Sequence, residues 1–281
     1  EVETGEFEDG RTVRIKRVSG YQMTTQRFIQ VEAKFFCDSS GDSILAPLTG
    51  AECRIGREAA SEFNEISSAE VADKKTMGMS CLIQSMETHR PVSFTPPTWS
   101  AKLTDKHFEN RWPDIHGDGQ NFWYLELGGN RDSIGDAEEV KDELLKTAMG
   151  LWDHIKNHGD HGAENYAIDW IGFLPGKRES RRMMGDHILC QQDVLTGGKF
   201  LDTVAYGGWP MDEHTAGGFA AKGEIPSKVR SFPGLYTIPY GCYVAKGIKN
   251  LMMAGRNLSA TRVALGSARV MATCALMGQA V

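Results

Sequence analysis

Two short apolar runs, each broken off by a glycine turn, set the tightest limit on what this chain can fold into. FFCDSSGDS, residues 35–43, reads as a strand that stops at Asp38, turns through Ser39-Ser40-Gly41 and carries a second acid at Asp42. Near the other end the shape recurs: a short buried strand from Leu251 to Ala254, a turn at Gly255-Arg256-Asn257, then a loop and a helix whose opening reads as Gly266-Ser267. A strand feeding a helix through such a turn aims backbone N–H groups and the positive end of the helix at one spot, which suits a phosphate or a developing negative charge. An ordinary strand-loop-helix unit has the same spacing, so both readings stay open at this point.

The 281 residues, 41% of them apolar, can bury a sizeable core in one large domain or two smaller ones. A net charge of −6 without a basic stripe argues against nucleic acid as a partner. The apolar window 263–281 carries Arg269 and a helical stripe of Val270, Cys274, Met277 and Val281, which argues against a membrane span. Six widely spaced cysteines with no CxxC pair read as reduced, mostly buried thiols. The stripe runs to the last residue without a stop signal, and the start has neither Met nor a secretory leader; the expectation is a chain trimmed at both ends, its compartment open.

Alternation predicts a hairpin around Asp9-Gly10, followed by a buried strand in RFIQVEAKFFC that uses Phe28, Val31, Phe35, Phe36 and Cys37. Residues 44–65 predict one or two short helices broken at Pro47 and Gly56. The segment 66–135 mixes strands and loops, and its Trp99, Trp112 and Trp123 predict core or a cleft, with ring area favouring core. DAEEVKDELLKTAMGLWDHIKNHG, 136–159, predicts a helix capped by Asp136 with Glu139 three residues on, striped by Val140, Leu144, Ala148, Leu151 and Ile155, and ended at Gly159. A strand follows around Tyr166 to Phe173, and GLYTIPYGCYV predicts a strand pair.

Several motifs offer chemistry. FFCDSSGDS fails as a calcium loop because glycine falls at its fourth position and Thr49 stands where a bidentate Glu belongs. His154, His158 and His161 have zinc-like spacing, but histidines in a last helical turn also answer the helix dipole, and no HExxH order is present; no metal is expected. Arg178, Arg181 and Arg182 beside Glu179 offer planar forks for an oxygen-rich substrate, or a solvated charge run. Asp212 and His214 flank Glu213 in a glycine-rich loop as an acid/base pair. GxSxG, GxxxxGK[ST] and GxGxxG are all missing from residues 1–281.

FFCDSSGDSILAPLTGAECRIGREAASEF resembles the DATGDGDLA…GAE.R.GREA.SEF segment of a family of FAD-dependent oxidoreductases. IPYGCYVAKGIKNLMMAGRNLSATRVALGSARVMATCALMGQAV is similar to that family's return to its flavin domain, and GKRESRRMMGDHIL and VAYGGWPMDEH to its internal blocks. The resemblance implies an α+β / α/β protein: an incomplete FAD/NAD(P)-binding, Rossmann-like domain from 1–45 and 236–281, plus a mixed substrate domain of sheet and helices over 46–235. It places Ser39, Ser40, Gly41 and Asp42 at the cofactor, with Ser39-Ser40 departing from the family's Ala-Thr and Asp38 and Asp42 fixing the turn. It also places Gly255, Arg256 and Asn257 near the ribityl or pyrophosphate portion, and the helix from Ser267, reinforced by Arg269, at the flavin N1/O2 edge. The family's βαβ unit with GxGxxG does not occur in these residues, so FAD is expected to bind them weakly or not at all, while the whole protein is a flavoenzyme.

The resulting expectation is hydride transfer from a small polar, carbohydrate-derived substrate to FAD, with Asp212 and His214 moving protons and the arginines, Arg181 and Arg182 foremost, orienting the substrate. The alternative is a glycan-binding module without redox activity, stacking sugars on Trp99, Trp112, Trp123 and Trp209. A third reading builds a metal-dependent lyase or hydrolase on the histidines. A sheet edge left without its βαβ unit could be covered by a second copy of the chain, which leaves homo-oligomerisation open.

Overall fold

The computed structural model describes residues 1–6, 13–116 and 121–281, a mixed α/β chain with several small sheets. It divides into two compact units. One gathers Glu1–Lys74, Ser180–Asp212 and Val229–Val281; the other is Lys75–Glu179 with Glu213–Lys228. These limits differ from the expected ones near 45 and 236. Strand pairing accounts for the difference: Cys53–Ile55 pairs with Arg181–Met183, and Thr203–Gly207 pairs with Tyr236–Pro239, which ties 46–74 and 180–212 to the chain ends.

In the first unit Val2–Glu6, Val13–Gln22 and Arg27–Glu32 form an antiparallel sheet in sequence order. The turn expected at Asp9-Gly10 lies outside the described residues. The expected buried strand is split: Arg27–Glu32 is an edge strand paired on one side, with Phe28 82% exposed and Val31 exposed as well, Phe35 is exposed in the link that follows, and Phe36–Asp38 is a separate strand. Burial comes from Ile15 and Phe36, which join Met183, Ile248, Leu251 and Met253 in one cluster. Pro47 does not break the Leu45–Thr49 helix; it sits in the first turn, where its missing N–H costs nothing, and Gly50 at φ 76° closes the helix. Gly56 does interrupt the chain: at φ 89° its Cα lies against the Asp73 carbonyl, where any Cβ would collide.

GLYTIPYGCYV gives one strand, Tyr236–Pro239, and then a 3-10 turn at Tyr240–Cys242 instead of a second strand. After Leu251–Met253 the chain forms a helix over Arg262–Ala268 and, past a break at Arg269-Val270, another over Met271–Ala280. The helix therefore opens at Arg262, with Thr261 as its cap, and Gly266 and Ser267 lie near its far end. Of the stripe Val270, Cys274, Met277 and Val281, only Met277 reaches the core.

The second unit is organised by the helix Ala137–Asn157. All five stripe residues are buried: Val140 and Leu144 against Met79 and Cys81, and Ala148, Leu151 and Ile155 among Ile83, Phe108, Phe122 and Trp152. Asp136 does not cap the helix through its side chain. Its carboxylate accepts from Arg131 Nε at 3.4 Å and Asp132 N at 3.2 Å, while Arg131 Nη2 reaches Glu139 at 2.6 Å. Tyr166–Ile171 forms the expected strand, antiparallel to Ile83–Glu87. Trp99 and Trp112 are more than half exposed, against the core reading; Trp152 is the indole that fills the core. Among the described residues no helix is long and apolar enough to cross a membrane.

Leu144→Ala empties a fully packed position, so urea unfolding should show a loss of about 2–5 kcal/mol. Leu201→Ala, at a fully exposed side chain, should stay within about 0.5 kcal/mol of the parent. Equal effects at the two sites would contradict the packing described.

Candidate functional site

Leu251–Met253 lies parallel to Phe36–Asp38, with Leu251 opposite Phe36, Met252 opposite Cys37 and Met253 opposite Asp38. Parallel strands end on the same side, so the two glycine turns leave the sheet next to one another. The carboxyl ends of such strands are where open α/β sheets bind ligands. The turns are cross-linked: the Asp38 carbonyl accepts from Ala254 N at 3.2 Å and from Asn257 Nδ2 at 3.1 Å.

The first turn needs both of its acids. Asp38 Oδ1 accepts from Ser40 N (3.0 Å) and Ser40 Oγ (2.6 Å), and Asp38 Oδ2 from Leu45 N at the start of the next helix (2.8 Å). Ser40 Oγ in turn accepts from Asp42 N and Ile44 N, so the hydroxyl that replaces a threonine is spent within the turn. Asp42 faces the other strand: its Oδ1 takes Arg256 Nη2 at 2.7 Å and the Ser180 hydroxyl at 2.6 Å, and Arg256 Nη1 donates to Ser180 Oγ at 2.7 Å. Gly41, at φ 73°, lies under this guanidinium, and a Cβ there would stand 2.9 Å from Arg256 Nε. Ser39 is exposed, with Oγ 3.4 Å from Cys37 Sγ. Asp38 holds the turn as expected, and Ser180 is a further structural partner. Ser180, far away in sequence and in a charge run, gave no local signal.

The other expected cofactor residues divide. Gly255 turns at φ 104° with its Cβ side open except for Asn257 Oδ1 at 3.7 Å. Asn257 is fully buried, and its Oδ1 accepts no hydrogen bond among the described residues. Ser267 is buried too, but its hydroxyl donates to the Trp209 carbonyl and receives the Tyr236 hydroxyl at 2.8 Å. Arg269 Nη2 is taken up by Asp212, at 3.3 Å from its carbonyl and 3.5 Å from Oδ2. The N-terminus of the Arg262–Ala268 helix is closed from within: Arg262 N donates to Glu58 Oε2 at 2.9 Å, and Thr261 Oγ1 accepts from Ala264 N at 3.3 Å.

The expected catalytic residues fall in both units. Asp212 belongs to the first unit and His214 to the second, each with its own partner. His214 Nδ1 lies 2.7 Å from Glu126 Oε1, its ring edge-on to Trp123. The same Glu126 oxygen is 2.7 Å from Arg178 Nη1, which also donates to Gly78 O and Ser80 Oγ. Glu126 is fully buried and went unnoticed in sequence, where a lone acid between apolar residues looks like a surface position. Arg182, expected to hold substrate, is itself fully buried and holds the fold: it pairs with Glu58 at 2.8 Å and donates to the carbonyls of Ala260 at 2.7 Å and of Gly56. Arg181 Nη1 donates to Ser43 O at 3.3 Å.

The histidines are held by other groups. His154 Nε2 is 3.2 Å from Asp105 and His158 Nε2 is 3.5 Å from Asp153, while His161 packs on Trp112. Burial holds His154 below the ordinary histidine range. Among the described residues no group of three or more acidic, histidine or cysteine side chains is assembled for a metal. Cys81 and Cys242 are the buried thiols, and Cys37 is exposed.

Gly41→Ala should cost about 1–3 kcal/mol in urea unfolding, because its left-handed φ disfavours a side chain and the new methyl displaces Arg256. An unchanged midpoint would remove Gly41 from this role. Burial pushes Tyr236 up to about 12 from 10, so its neutral phenol stabilises the fold fully below pH 10 and that share is lost as pH rises towards 12. Tyr236→Phe should flatten the loss of stability over that alkaline window in pH-dependent denaturation.

Three comparisons bear on these turns. The family described as FAD dependent oxidoreductase matches residues 4–281. No curated protein and no solved structure matches the chain. A family match that spans nearly the whole chain, over turns built as described, identifies it: the chain belongs to the FAD-dependent oxidoreductase family.

Proposed function

We propose that these residues form the substrate-side part and a portion of the flavin-side part of an enzyme that oxidises a small polar molecule. The observation that carries the reading is the pair of glycine turns at the ends of parallel strands, locked by Asp42, Ser180 and Arg256. FAD, when bound, supplies the hydride acceptor. The turns suit it: Gly255 is open to close approach, and the buried Asn257 Oδ1 is an acceptor awaiting a donor. Gly41, Gly255 and Asn257, with the exposed Ser39 beside them, would hold the group.

The remaining expected contacts are occupied by the protein itself. Arg256 is engaged by Asp42 and Ser180, and the helix N-terminus at Arg262 by Glu58, so neither is open to a pyrophosphate. With GxGxxG also missing from residues 1–281, these residues alone should bind FAD more weakly than about 1 μM. In this reading proton transfer falls to His214. Glu126 holds the ring through Nδ1 and acts as a positioning residue.

The test is a visible absorption spectrum of the protein from its complete reading frame, beside a titration of residues 1–281 with FAD. Flavin bands in the former, bleached by a polar reductant, are the expected result. A colourless complete protein would overturn the redox reading, and sub-micromolar FAD binding by residues 1–281 would overturn the division of labour proposed for them.

A further inference from the structure

Arg111 stands out among the buried cations of the second unit. The 3-10 turn Asp105–His107 and the core residue Phe108, whose carbonyl accepts from Arg111 N at 2.9 Å, fix its backbone. Its side chain is 4% exposed. Nη1 is satisfied, donating to the Glu224 carbonyl at 2.7 Å and lying 3.5 Å from that of Ala221. Nε and Nη2 are buried and have no hydrogen-bond partner among the described residues, and no ion pair reaches the group there.

Those two nitrogens form one side of the guanidinium, the edge whose parallel N–H bonds match the two oxygens of a carboxylate. The same chain uses this edge elsewhere: Arg17 turns Nε and Nη2 to Glu32, and Arg57 to Asp73. Leaving such an edge buried and unpaired is costly, and an orphaned donor of this kind calls for a completing group, whether water, an ion or a ligand. Glu126 lies close enough to influence the guanidinium: burial lowers the Arg111 pKa, and Glu126, then Glu224, act against that. Glu126 Oε2 is likewise buried and accepts no hydrogen bond among the described residues.

We propose that the Nε/Nη2 edge of Arg111 is a carboxylate-binding site, and that the small polar molecule taken by this unit is an acid. The second half of this statement rests on the oxidoreductase reading; the first half does not. Glu126 disfavours a doubly charged phosphate on the same edge and tolerates a singly charged carboxylate better.

The test is calorimetric titration of the full chain, without FAD, using acetate, L-malate and D-gluconate, with glycerol, D-glucose and inorganic phosphate as controls. Saturable binding of at least one carboxylate is expected, weakened roughly 10- to 100-fold in Arg111→Met and weakened also in Arg111→Lys, which keeps the charge and loses the fork. Thermal unfolding without ligand gives an independent readout: removing an unpaired buried cation should leave Arg111→Met as stable as the parent or more so. The proposal is overturned if no carboxylate saturates, if phosphate binds more tightly than every carboxylate, or if Arg111→Lys binds as the parent does. A colourless complete protein with intact carboxylate binding would sink the oxidoreductase reading and leave the site standing.

Discussion

Asp38 and Asn257 are 219 residues apart in sequence and hydrogen-bonded in the fold. That contact belongs to a parallel pairing of two three-residue strands, and the first unit is arranged around it. So short a pair contributes few ladder bonds, so its register has to be fixed by other groups. Asp38 anchors one turn to itself and to the following helix, while the Asp42–Ser180–Arg256 triangle anchors the two turns to each other. Half-buried carboxylate–guanidinium contacts of this sort contribute modestly as isolated pairs. Joined through a shared hydroxyl, they define one geometry for three separate segments of chain.

A second set of charges, deeper in the same unit, serves a different purpose. Glu58 uses one oxygen for Arg182 and the other for Arg262 N. Arg182 spreads its remaining donors over carbonyls from two loops. A buried ion pair offsets its desolvation only when the other donors and acceptors find partners, and this one largely does. The contrast with Arg111 is instructive, since both guanidinia are buried but, among the described residues, only Arg182 has a carboxylate at ion-pair distance.

Sequence reading succeeded where a local rule decides the outcome. The five-residue stripe of the long helix is buried because helical period and apolar identity leave no alternative, and the two glycine turns follow from residues that accept positive φ. It failed where the partner is remote. Phe28 looks like core, but the strand carrying it, Arg27–Glu32, lies at a sheet edge, and edge position depends on pairing that no local pattern encodes. Arg182 was taken for a substrate ligand because nothing near it in sequence reveals Glu58. Asp212 and His214, adjacent enough to suggest a dyad, find separate partners in Arg269 and Glu126. Gly266-Ser267 suggested a helix start, yet Thr261 with its cap bond to Ala264 sets the boundary five residues earlier.

The discontinuity of the first unit also bears on how the chain comes off the ribosome. Phe36–Asp38 precedes the second unit along the chain, and its strand partner among the described residues, Leu251–Met253, is made after that unit. At common synthesis rates that interval is roughly 10–40 seconds. During it Phe36–Asp38 is without that partner, while Lys75–Glu179 can already begin to collapse around its long helix. Vectorial synthesis thus leaves Phe36–Asp38 a client for chaperones, and this pairing in the first unit waits until Leu251–Met253 has been made.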